Sequence, residues 1–265
     1  MKKTLPLVAL FSLAAICGCN NIGNVVRLVS AAAKTAQVFT LSDEQVESYT
    51  RQFLEQMDSD NILAPDDSPQ VRRINRITKT ITGREGIDIK IYITDQVNAF
   101  ACADGSLRIC SGLMEIMSDA EIVGVVGHEI GHVKCRHIFE SFKNALMTSA
   151  ARDAVGSAGG TVAVLSNSAL GDVGEAFLGA RYSQKYEYEA DDYGYDLLRS
   201  HNVNPRAMIM ALEKLKSLED SAGVDGSTMG QLFSTHPELE ARIKKLQRRA
   251  TVDAVPRPKS KQGAS

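Results

Sequence analysis

The sequence is poor in the residues that mark several common kinds of binding surface. It has no tryptophan, only 6% aromatic residues, and a net charge of -2 from 30 basic and 32 acidic residues. Scarce aromatic rings argue against a surface that stacks sugars or bases. The balanced charge leaves no basic footprint for nucleic acid. We therefore expect no nucleic-acid partner.

Long apolar runs are also scarce after the N-terminus. No charged residue occurs between Asp153 and Asp172, yet the glycine, serine, threonine and asparagine residues of that stretch leave no run of about 20 predominantly apolar residues. A transmembrane helix is therefore not predicted here. We interpret residues 141–181 as a mobile helical hairpin that packs beside the functional site or touches the membrane.

The N-terminus has the pattern of a bacterial lipoprotein signal. Two lysines precede an apolar stretch, residues 5–16, which is too short to span a bilayer comfortably, and Gly18 then precedes Cys19 as in a lipobox. We predict a signal peptide over residues 1–18, lipid attachment at Cys19 and a tether over residues 19–41. An ordinary cleaved signal peptide and an uncleaved anchor are the alternatives. Asparagines after Cys19, in place of an aspartate, favour the outer membrane, with the domain facing the periplasm.

A capping box opens the helix that we expect to carry the chemistry. Ser118 and Glu121 stand in the S-x-x-E arrangement directly before an apolar run, which predicts one amphipathic helix over residues 118–137. Within it, residues 128–132 read H-E-I-G-H, the H-E-x-x-H pattern. In a chain with only five histidines, this pattern arises by chance roughly once in two hundred shuffled sequences.

Helical geometry gives the residues of this pattern separate roles. At about 100° per residue, His128 and His132 lie roughly 40° apart on adjacent turns, so both rings can reach one metal ion. Glu129 is offset by about 100°, which makes it a poor ligand but places its carboxylate beside the attacking water. Apolar neighbours imply burial, where unpaired imidazoles are costly, and this disfavours two solvated histidines. The pattern predicts a hydrolytic zinc site.

Further signals predict helices around this site. The second predicted helix carries four basic residues on one face, which we interpret as a solvated surface. The predicted segments are helices from Ser42 to about Met57, from Pro69 to Gly83, from Tyr182 to Ser200, from Pro205 to about Leu218 and after Pro237, followed by a disordered tail over residues 251–265.

A small sheet is predicted just before the H-E-x-x-H helix. Alternating isoleucines predict a strand over residues 87–94, and Asp104-Gly105 predicts the turn of a following hairpin. The edge strand of this sheet could hold an extended peptide by backbone hydrogen bonds, as in β-augmentation. We therefore name Asn98, Ala99 and Phe100 as substrate-strand candidates, although Phe100 is interpreted as a core residue before a wall of the groove.

Three cysteines follow the predicted lipidation site. The hairpin register predicts that Cys102 faces Leu107, so we do not favour a disulfide between Cys102 and Cys110. Seven residues after His128, Cys135 returns to the face of the histidines. As a fourth ligand, Cys135 would close the site and make the zinc structural. One ion would then have to be reached by His128, His132 and Cys135 over about two helical turns, which requires a strained geometry. We favour a buried core thiol.

A catalytic zinc keeps three protein ligands and one open position, so another residue must join the histidines. The metzincin pattern needs a histidine at position 138, which is Ile138. His137 lies about 180° from His128 on the same predicted helix and so points away from the metal. Glu187 and Asp191 are better candidates, since they share one helix face. Glu187 can bind the metal while Asp191 accepts the other ring N–H of a ligating histidine.

Four motifs together resemble the gluzincin metalloprotease family that includes HtpX and the CAAX prenyl proteases. They are H-E-I-G-H, then E-Y-E-A-D, then S-T-H-P-E-L-E-A-R-I, and N-A-F before the helix, and the match covers roughly residues 42–250. The soluble, lipid-anchored envelope members are the most similar. The resemblance implies that Glu187 is the third ligand and places His236 near the metal, in an H-P-x-x-x-x-R pattern that ends at Arg242. His236 would then donate to the oxyanion or occupy the open zinc position and hold the enzyme latent, unless it only terminates a loop.

The combined prediction is a zincin-like metalloprotease domain over residues 42–250, α+β and predominantly helical, with one small sheet. We expect one Zn²⁺ per chain on His128, His132 and Glu187, with Glu129 as the base that cleaves peptide bonds in misfolded or misassembled envelope proteins. Other envelope proteases or assembly proteins are expected as further partners. The alternative is a non-catalytic envelope assembly or chaperone-like protein with a structural zinc, a site that has no need of the base.

Overall fold

The computed structural model describes residues 41–149, 162–222 and 235–254. The predicted signal peptide, the lipidation site Cys19 and nearly all of the tether lie outside these ranges. The centre of the predicted hairpin and the end of the tail also lie outside them. Residues 251–254, predicted as part of the disordered tail, instead continue the last helix.

Nine helices and three strands form within these ranges, which confirms a predominantly helical α+β fold with one small sheet. None of these helices has the length and apolar character needed to cross a membrane. The helices are α1 (Asp43–Asp60), α2 (Pro69–Glu85), α3 (Ser111–Ile116), α4 (Asp119–Lys134), α5 (His137–Thr148), α6 (Asn167–Leu178), α7 (Gln184–Ser200), α8 (Arg206–Ala222) and α9 (Leu239–Ala254), and the strands are β1 (Ile89–Tyr92), β2 (Ala99–Ala101) and β3 (Leu107–Cys110).

The first two helices begin where their caps predict, but α2 ends later than expected. Ser42 caps α1 in a full capping box with Gln45. Ser68 caps α2, but Gly83 lies inside that helix. Gly86 ends it with a φ of 67°, a left-handed conformation from which its N–H returns to a carbonyl of the last turn. Left-handed backbone favours glycine, so the later glycine is the stop.

The predicted helix over residues 118–137 is correct at its start and wrong at its end. Ser118 and Glu121 form the capping box, with each side chain accepting from the other residue's backbone N–H at 3.4 and 2.7 Å. At the other end, α4 stops before Arg136, whose φ of 61° is left-handed and cannot continue a helix. The chain turns there, and His137 starts α5 instead of extending α4.

The sheet has the strand order β1-β3-β2, with β1 parallel and β2 antiparallel to β3. β2 is therefore an edge strand, and it packs against α4. β1 covers only the centre of the predicted strand over residues 87–94. The hairpin turn forms at Gly105, whose φ is 87°. This arrangement places the edge strand beside the H-E-x-x-H helix.

The cysteines correct two details of the sequence prediction. Ala101, and not Cys102, pairs with Leu107, so the predicted hairpin register was wrong by one residue. Cys102 and Cys110 are both buried and free. Cys135 is the C-terminal cap of α4 and is partly exposed, so its assignment as a buried core thiol was wrong. The early end of α4 is what moves it out of the core.

A partly buried charge cluster ties α1 to the sheet. Arg108 is 2% exposed, and its guanidinium donates twice to Asp58, with N···O distances of 2.9 and 3.0 Å. Lys90 and Tyr92 also donate to this carboxylate, at 2.7 and 2.6 Å. Burial alone would raise the pKa of Asp58, but these donors lower it to about 2. The ionised cluster therefore fixes β1 and β3 against α1.

The basic face of α2 is more than the solvated surface that we predicted. Arg73 donates to Asp119 at 2.7 Å and to the Met117 carbonyl at 2.8 Å, and Arg76 reaches the same aspartate at 2.9 Å. Asp119 is the first residue of α4. These contacts hold the start of the H-E-x-x-H helix against α2.

Three phenylalanines join the two described helices of the predicted hairpin to α1. The Phe53 ring lies 5.5 Å from Phe142 on α5 and 6.0 Å from Phe177 on α6, measured between centroids. Phe142 and Phe177 are 5.4 Å apart and meet edge to face. Such packing contributes apolar burial as well as favourable ring geometry. It holds the end of α6 beside the candidate site.

Candidate metal centre

The H-E-x-x-H helix and α7 cross with their backbones almost in contact. A Cβ atom on Gly131 would lie 2.4 Å from the Ala190 carbonyl oxygen, and one on Gly194 would lie 2.7 Å from the Gly127 oxygen. Neither distance is possible for a real side chain, so both positions require glycine for this approach. The close crossing is what places the acidic face of α7 against the histidines of α4.

Four buried side chains converge at this crossing. His128, His132, Glu187 and His236 each offer a nitrogen or oxygen atom, and these atoms lie within 4.8 Å of one another. Two come from α4, one from α7, and His236 from the short segment before α9. The structure thus brings together all three residues that the sequence predicted as metal ligands, and it adds the fourth as a direct neighbour.

The spacing of these atoms fits a metal ion. His128 Nε2 lies 3.0 Å from His132 Nε2 and 3.3 Å from His236 Nδ1. Glu187 Oε1 lies 3.3 Å from His132 Nε2 and 3.1 Å from His236 Nδ1. Ligands at about 2.0–2.1 Å from a tetrahedral zinc are separated by about 3.3 Å. Imidazole and carboxylate donors at these separations suit a divalent cation such as zinc.

His128 is oriented by a carboxylate behind it. Its Nδ1 lies 2.9 Å from Asp191 Oδ1, and both side chains are buried. Because an ionised carboxylate only accepts, His128 Nδ1 carries the hydrogen and Nε2 keeps its lone pair. The Nε2 lone pair faces His132 Nε2 and His236 Nδ1, two of the other candidate metal-binding atoms. This is the arrangement in which an outer carboxylate fixes the tautomer of a ligating histidine.

Arg242 neutralises the two buried acidic residues of α7, Glu187 and Asp191. Its guanidinium is 1% exposed, donates to the Asp191 carboxylate at 2.7 and 2.8 Å, and forms an ion pair with Glu187 Oε2. Burial alone would raise the pKa of Glu187, but the charges of His236 and Arg242 hold it well below its usual range. Against the same burial, Arg242 holds the pKa of Asp191 low. Both carboxylates are therefore ionised.

Glu129 lies beside the cluster and contacts the edge strand. It is 3% exposed, and its Oε2 accepts a hydrogen bond from the Ala101 backbone N–H at 3.0 Å. Its Oε1 lies 3.8 Å from His236 Nε2. Burial raises the pKa of the carboxyl group, which makes its carboxylate a better proton acceptor. The edge strand thus holds one oxygen of Glu129 and leaves the other for chemistry.

A cleft of about 360 Å³ opens between Glu129, the edge strand and the end of α6. Asn98, Ala99 and Phe100 all line it, together with His236. Phe100 is partly exposed and lines the cleft, so our preference for a core residue was wrong. The three predicted substrate-strand residues therefore line one cleft with Glu129 and His236.

Sequence reasoning missed Tyr182 at this site. Its ring lies 4.3 Å from His132 and 5.3 Å from His236, measured between centroids, and it lines the cleft. Its backbone N–H donates to the Thr235 carbonyl at 3.1 Å, which links it to the segment of His236. No local pattern marks this tyrosine. Among the residues with described positions, Cys135 does not belong to the four-donor cluster.

Known proteins resemble this chain over most of its length. Residues 72–250 match the family described as Peptidase family M48. Metalloprotease LoiP of Escherichia coli strain K12 is 36% identical over 258 residues, which cover 96% of this chain and 100% of LoiP. Metalloprotease YcaL of the same organism is 34% identical over 255 residues, covering 94% and 98% of the two chains. A Protease HtpX homolog of Bacillus subtilis strain 168 is 27% identical over 216 residues, covering 70% and 71%.

Proposed function

Because the chain belongs to peptidase family M48 and is therefore a metalloendopeptidase, we propose that its metal is zinc and that it cleaves misfolded or misassembled proteins of the cell envelope. The observation that carries this proposal is the four-donor cluster with buried Glu129 beside it, where Glu129 and the cluster's His236 line a cleft along an edge strand. A purely structural site would have no need of a buried carboxylate that is directed into a cleft.

In the proposed mechanism, His128, His132 and Glu187 would hold one zinc ion, and Arg242 and Asp191 keep these side chains in place. Bound zinc would polarise the scissile carbonyl and acidify the attacking water. Glu129 accepts the proton of that water and returns it to the leaving amine. Its Oε1 is the acting atom, since Oε2 is held by the Ala101 N–H.

The edge strand is the proposed substrate platform. The Asn98 carbonyl accepts from the Cys110 N–H of β3 at 2.9 Å, and the Cys102 N–H donates to the Ser106 carbonyl, just before β3, at 2.8 Å. Backbone groups of an antiparallel strand alternate in direction, so those of Ala99 face away from β3. A substrate strand pairing there would run past Glu129, with Phe100 as a wall beside it. An extended, unfolded segment fits such a platform better than a folded surface does, which supports misfolded proteins as substrates.

Metal removal gives the direct test of this function. Purified protein is expected to contain one zinc per chain by elemental analysis and to cleave an unfolded model protein. A chelator should abolish cleavage, and zinc should restore it while magnesium does not, because magnesium prefers oxygen ligands in octahedral geometry. Undiminished cleavage by protein shown to be metal-free would contradict the proposal.

Lipid attachment at Cys19 is tested in cells. The full-length protein is expected in the outer-membrane fraction, labelled by a fatty acid, and Cys19→Ala should move it to the soluble periplasmic fraction without the label. The matched control is Cys17→Ala, which removes a neighbouring cysteine of the same signal and should leave the location unchanged. An unlabelled wild-type protein would sink this part of the proposal, as would equal effects of the two substitutions.

His236 has two proposed roles, and its position favours one of them. Its Nδ1 lies 3.3 Å from His128 Nε2 and 3.1 Å from Glu187 Oε1, where a fourth ligand would lie. We therefore propose that His236 closes the metal site and that the enzyme is latent until this ring moves away. His236→Ala is then expected to weaken zinc binding while it increases cleavage of a short peptide several-fold. If His236 instead donates to the oxyanion, the same substitution lowers kcat by about 100-fold. Steady-state kinetics on zinc-saturated protein distinguishes the two.

A further inference from the structure

His137 is a buried histidine that the mechanism does not use. It is 3% exposed and begins α5, directly after the turn at Arg136. Its Nδ1 lies 3.2 Å from His132 Nδ1, on the side of that ring away from the other three donors. Its Nε2 lies 3.1 Å from Glu189 Oε2. A line of three side chains, from Glu189 through His137 to His132, therefore runs from the surface to the metal cluster.

The hydrogens along this line have one consistent arrangement. The Glu189 carboxylate only accepts, so His137 Nε2 carries the hydrogen and donates to it. A neutral imidazole with its hydrogen on Nε2 has a lone pair on Nδ1. That lone pair accepts from His132 Nδ1, which leaves the Nε2 lone pair of His132 directed to Glu187 and His128.

The position of the His137 ring is also fixed by packing. The Tyr186 ring stacks on it with centroids 4.1 Å apart and an angle of 10° between the planes. Tyr186 and Glu189 both belong to α7, the helix that supplies Glu187. One helix therefore contributes a candidate metal ligand and also the two residues that orient His137.

The two histidines of the H-E-x-x-H pattern differ in the group behind them. His128 is held directly by Asp191, which is fully buried and paired with Arg242. His132 is held by an imidazole instead, and the carboxylate behind that imidazole is 44% exposed. Outer partners of metal-ligating histidines typically change metal affinity or activity by about 10-fold to 100-fold when they are removed.

We propose that His137 is a positioning residue for the metal site: oriented by Glu189 and Tyr186, it accepts the Nδ1 hydrogen of His132 and so selects the tautomer that binds metal. This inference rests on the proposed function, in which His132 is a zinc ligand. It predicts that zinc affinity depends on an acceptor atom at the position of His137 Nδ1, and depends less on the volume of the ring.

Asparagine and glutamine separate these two properties at position 137. In His137→Asn, the side-chain amide oxygen lies near the place of imidazole Nδ1, so it can still accept from His132. His137→Gln puts its amide near the place of Nε2, so it keeps a partner for Glu189 but offers no acceptor to His132. Both variants lose the ring that stacks on Tyr186, and each is the control for the other.

The experiment measures the zinc dissociation constant of the full-length protein by competition with a chromogenic chelator. We expect His137→Gln to weaken zinc binding about 10-fold to 100-fold and His137→Asn to stay within about 3-fold of wild type. With Co²⁺ in place of zinc, the visible absorption bands should shift in the glutamine variant and be retained in the asparagine variant. Thermal unfolding of the two metal-free variants should be alike.

Equal losses of affinity in the two variants, or no loss in either, would overturn the role of His137 while leaving the proposed function intact. Failure of the wild-type protein to bind zinc at all would instead overturn the proposed function, and with it the premise of this inference. The His137 variants therefore test this inference, and the wild-type protein in the same titration tests the proposed function.

Discussion

Replacement of Glu129 by glutamine is expected to lower kcat/KM for peptide cleavage by at least about 1000-fold while zinc binding is retained. Glutamine has nearly the same shape, and its amide oxygen can still accept from the Ala101 N–H that now holds Oε2 at 3.0 Å. The amide cannot take up a proton at neutral pH, so the proposed general base is lost. Glu129 is also outside the four-donor cluster, which leaves the metal ligands unchanged.

The measurement combines single-turnover cleavage of an unfolded substrate with zinc analysis of the same preparation. Glu121→Gln is the matched control on the same helix, because glutamine also serves at this position of a capping box. That variant should cleave at the wild-type rate. Wild-type cleavage by pure Glu129→Gln protein would show that another group is the base, and loss of zinc in that variant would show that Glu129 helps to hold the metal.

Replacement of Arg242 by methionine is expected to lower the free energy of unfolding of the metal-free protein by about 3–5 kcal/mol. Methionine fills much of the same volume, but it leaves Glu187 and Asp191 buried and ionised without their cation. Removal of one partner of a buried ion pair costs far more than the pair itself contributes, because the remaining charges are not solvated. Chemical denaturation followed by circular dichroism gives the difference.

Three comparisons define this effect. Arg249→Met removes another arginine of α9 that also pairs with acidic residues of α7, but on the surface, and should cost no more than about 1 kcal/mol. Addition of Asp191→Asn to Arg242→Met should recover part of the loss, because one buried charge is removed. Saturating zinc should also reduce it, since the metal compensates Glu187. A loss no greater than that of Arg249→Met would contradict a buried neutralising role.

Local signals in the sequence predicted the parts of the site that depend on neighbouring residues. The capping boxes at Ser42 and Ser118 depend on residues three apart, and both formed. The turn at Gly105 formed because left-handed backbone favours glycine. The family resemblance inferred from four short motifs is confirmed by the match to Peptidase family M48 over residues 72–250.

Two wrong predictions, the end of α4 and the burial of Cys135, share one cause, which is that this helix ends where no local signal marks it. Arg136 adopts a left-handed conformation that is uncommon for arginine, so nothing in the sequence indicated the end of α4. The helical phase of His137 was calculated on a helix that does not reach it. Among the described residues, His137 is indeed not one of the four clustered donors. Its contact with His132, however, could not be predicted from a single continuous helix.

The sequence by itself determined the chemistry that α4 can carry, because the positions of His128, Glu129 and His132 on one helix follow from a fixed rotation per residue. It also predicted Glu187 as a ligand, since a helix face and a family motif agree on that residue, and the structure places Glu187 in the four-donor cluster. Only the tertiary structure decided how the two halves meet. Gly131 and Gly194 allow the backbones of α4 and α7 to touch, and Arg242 neutralises the carboxylates that this contact buries. Contacts of this kind join residues that are far apart in the chain. They depend on differences of a few tenths of an ångström in packing distance, which no local sequence pattern encodes.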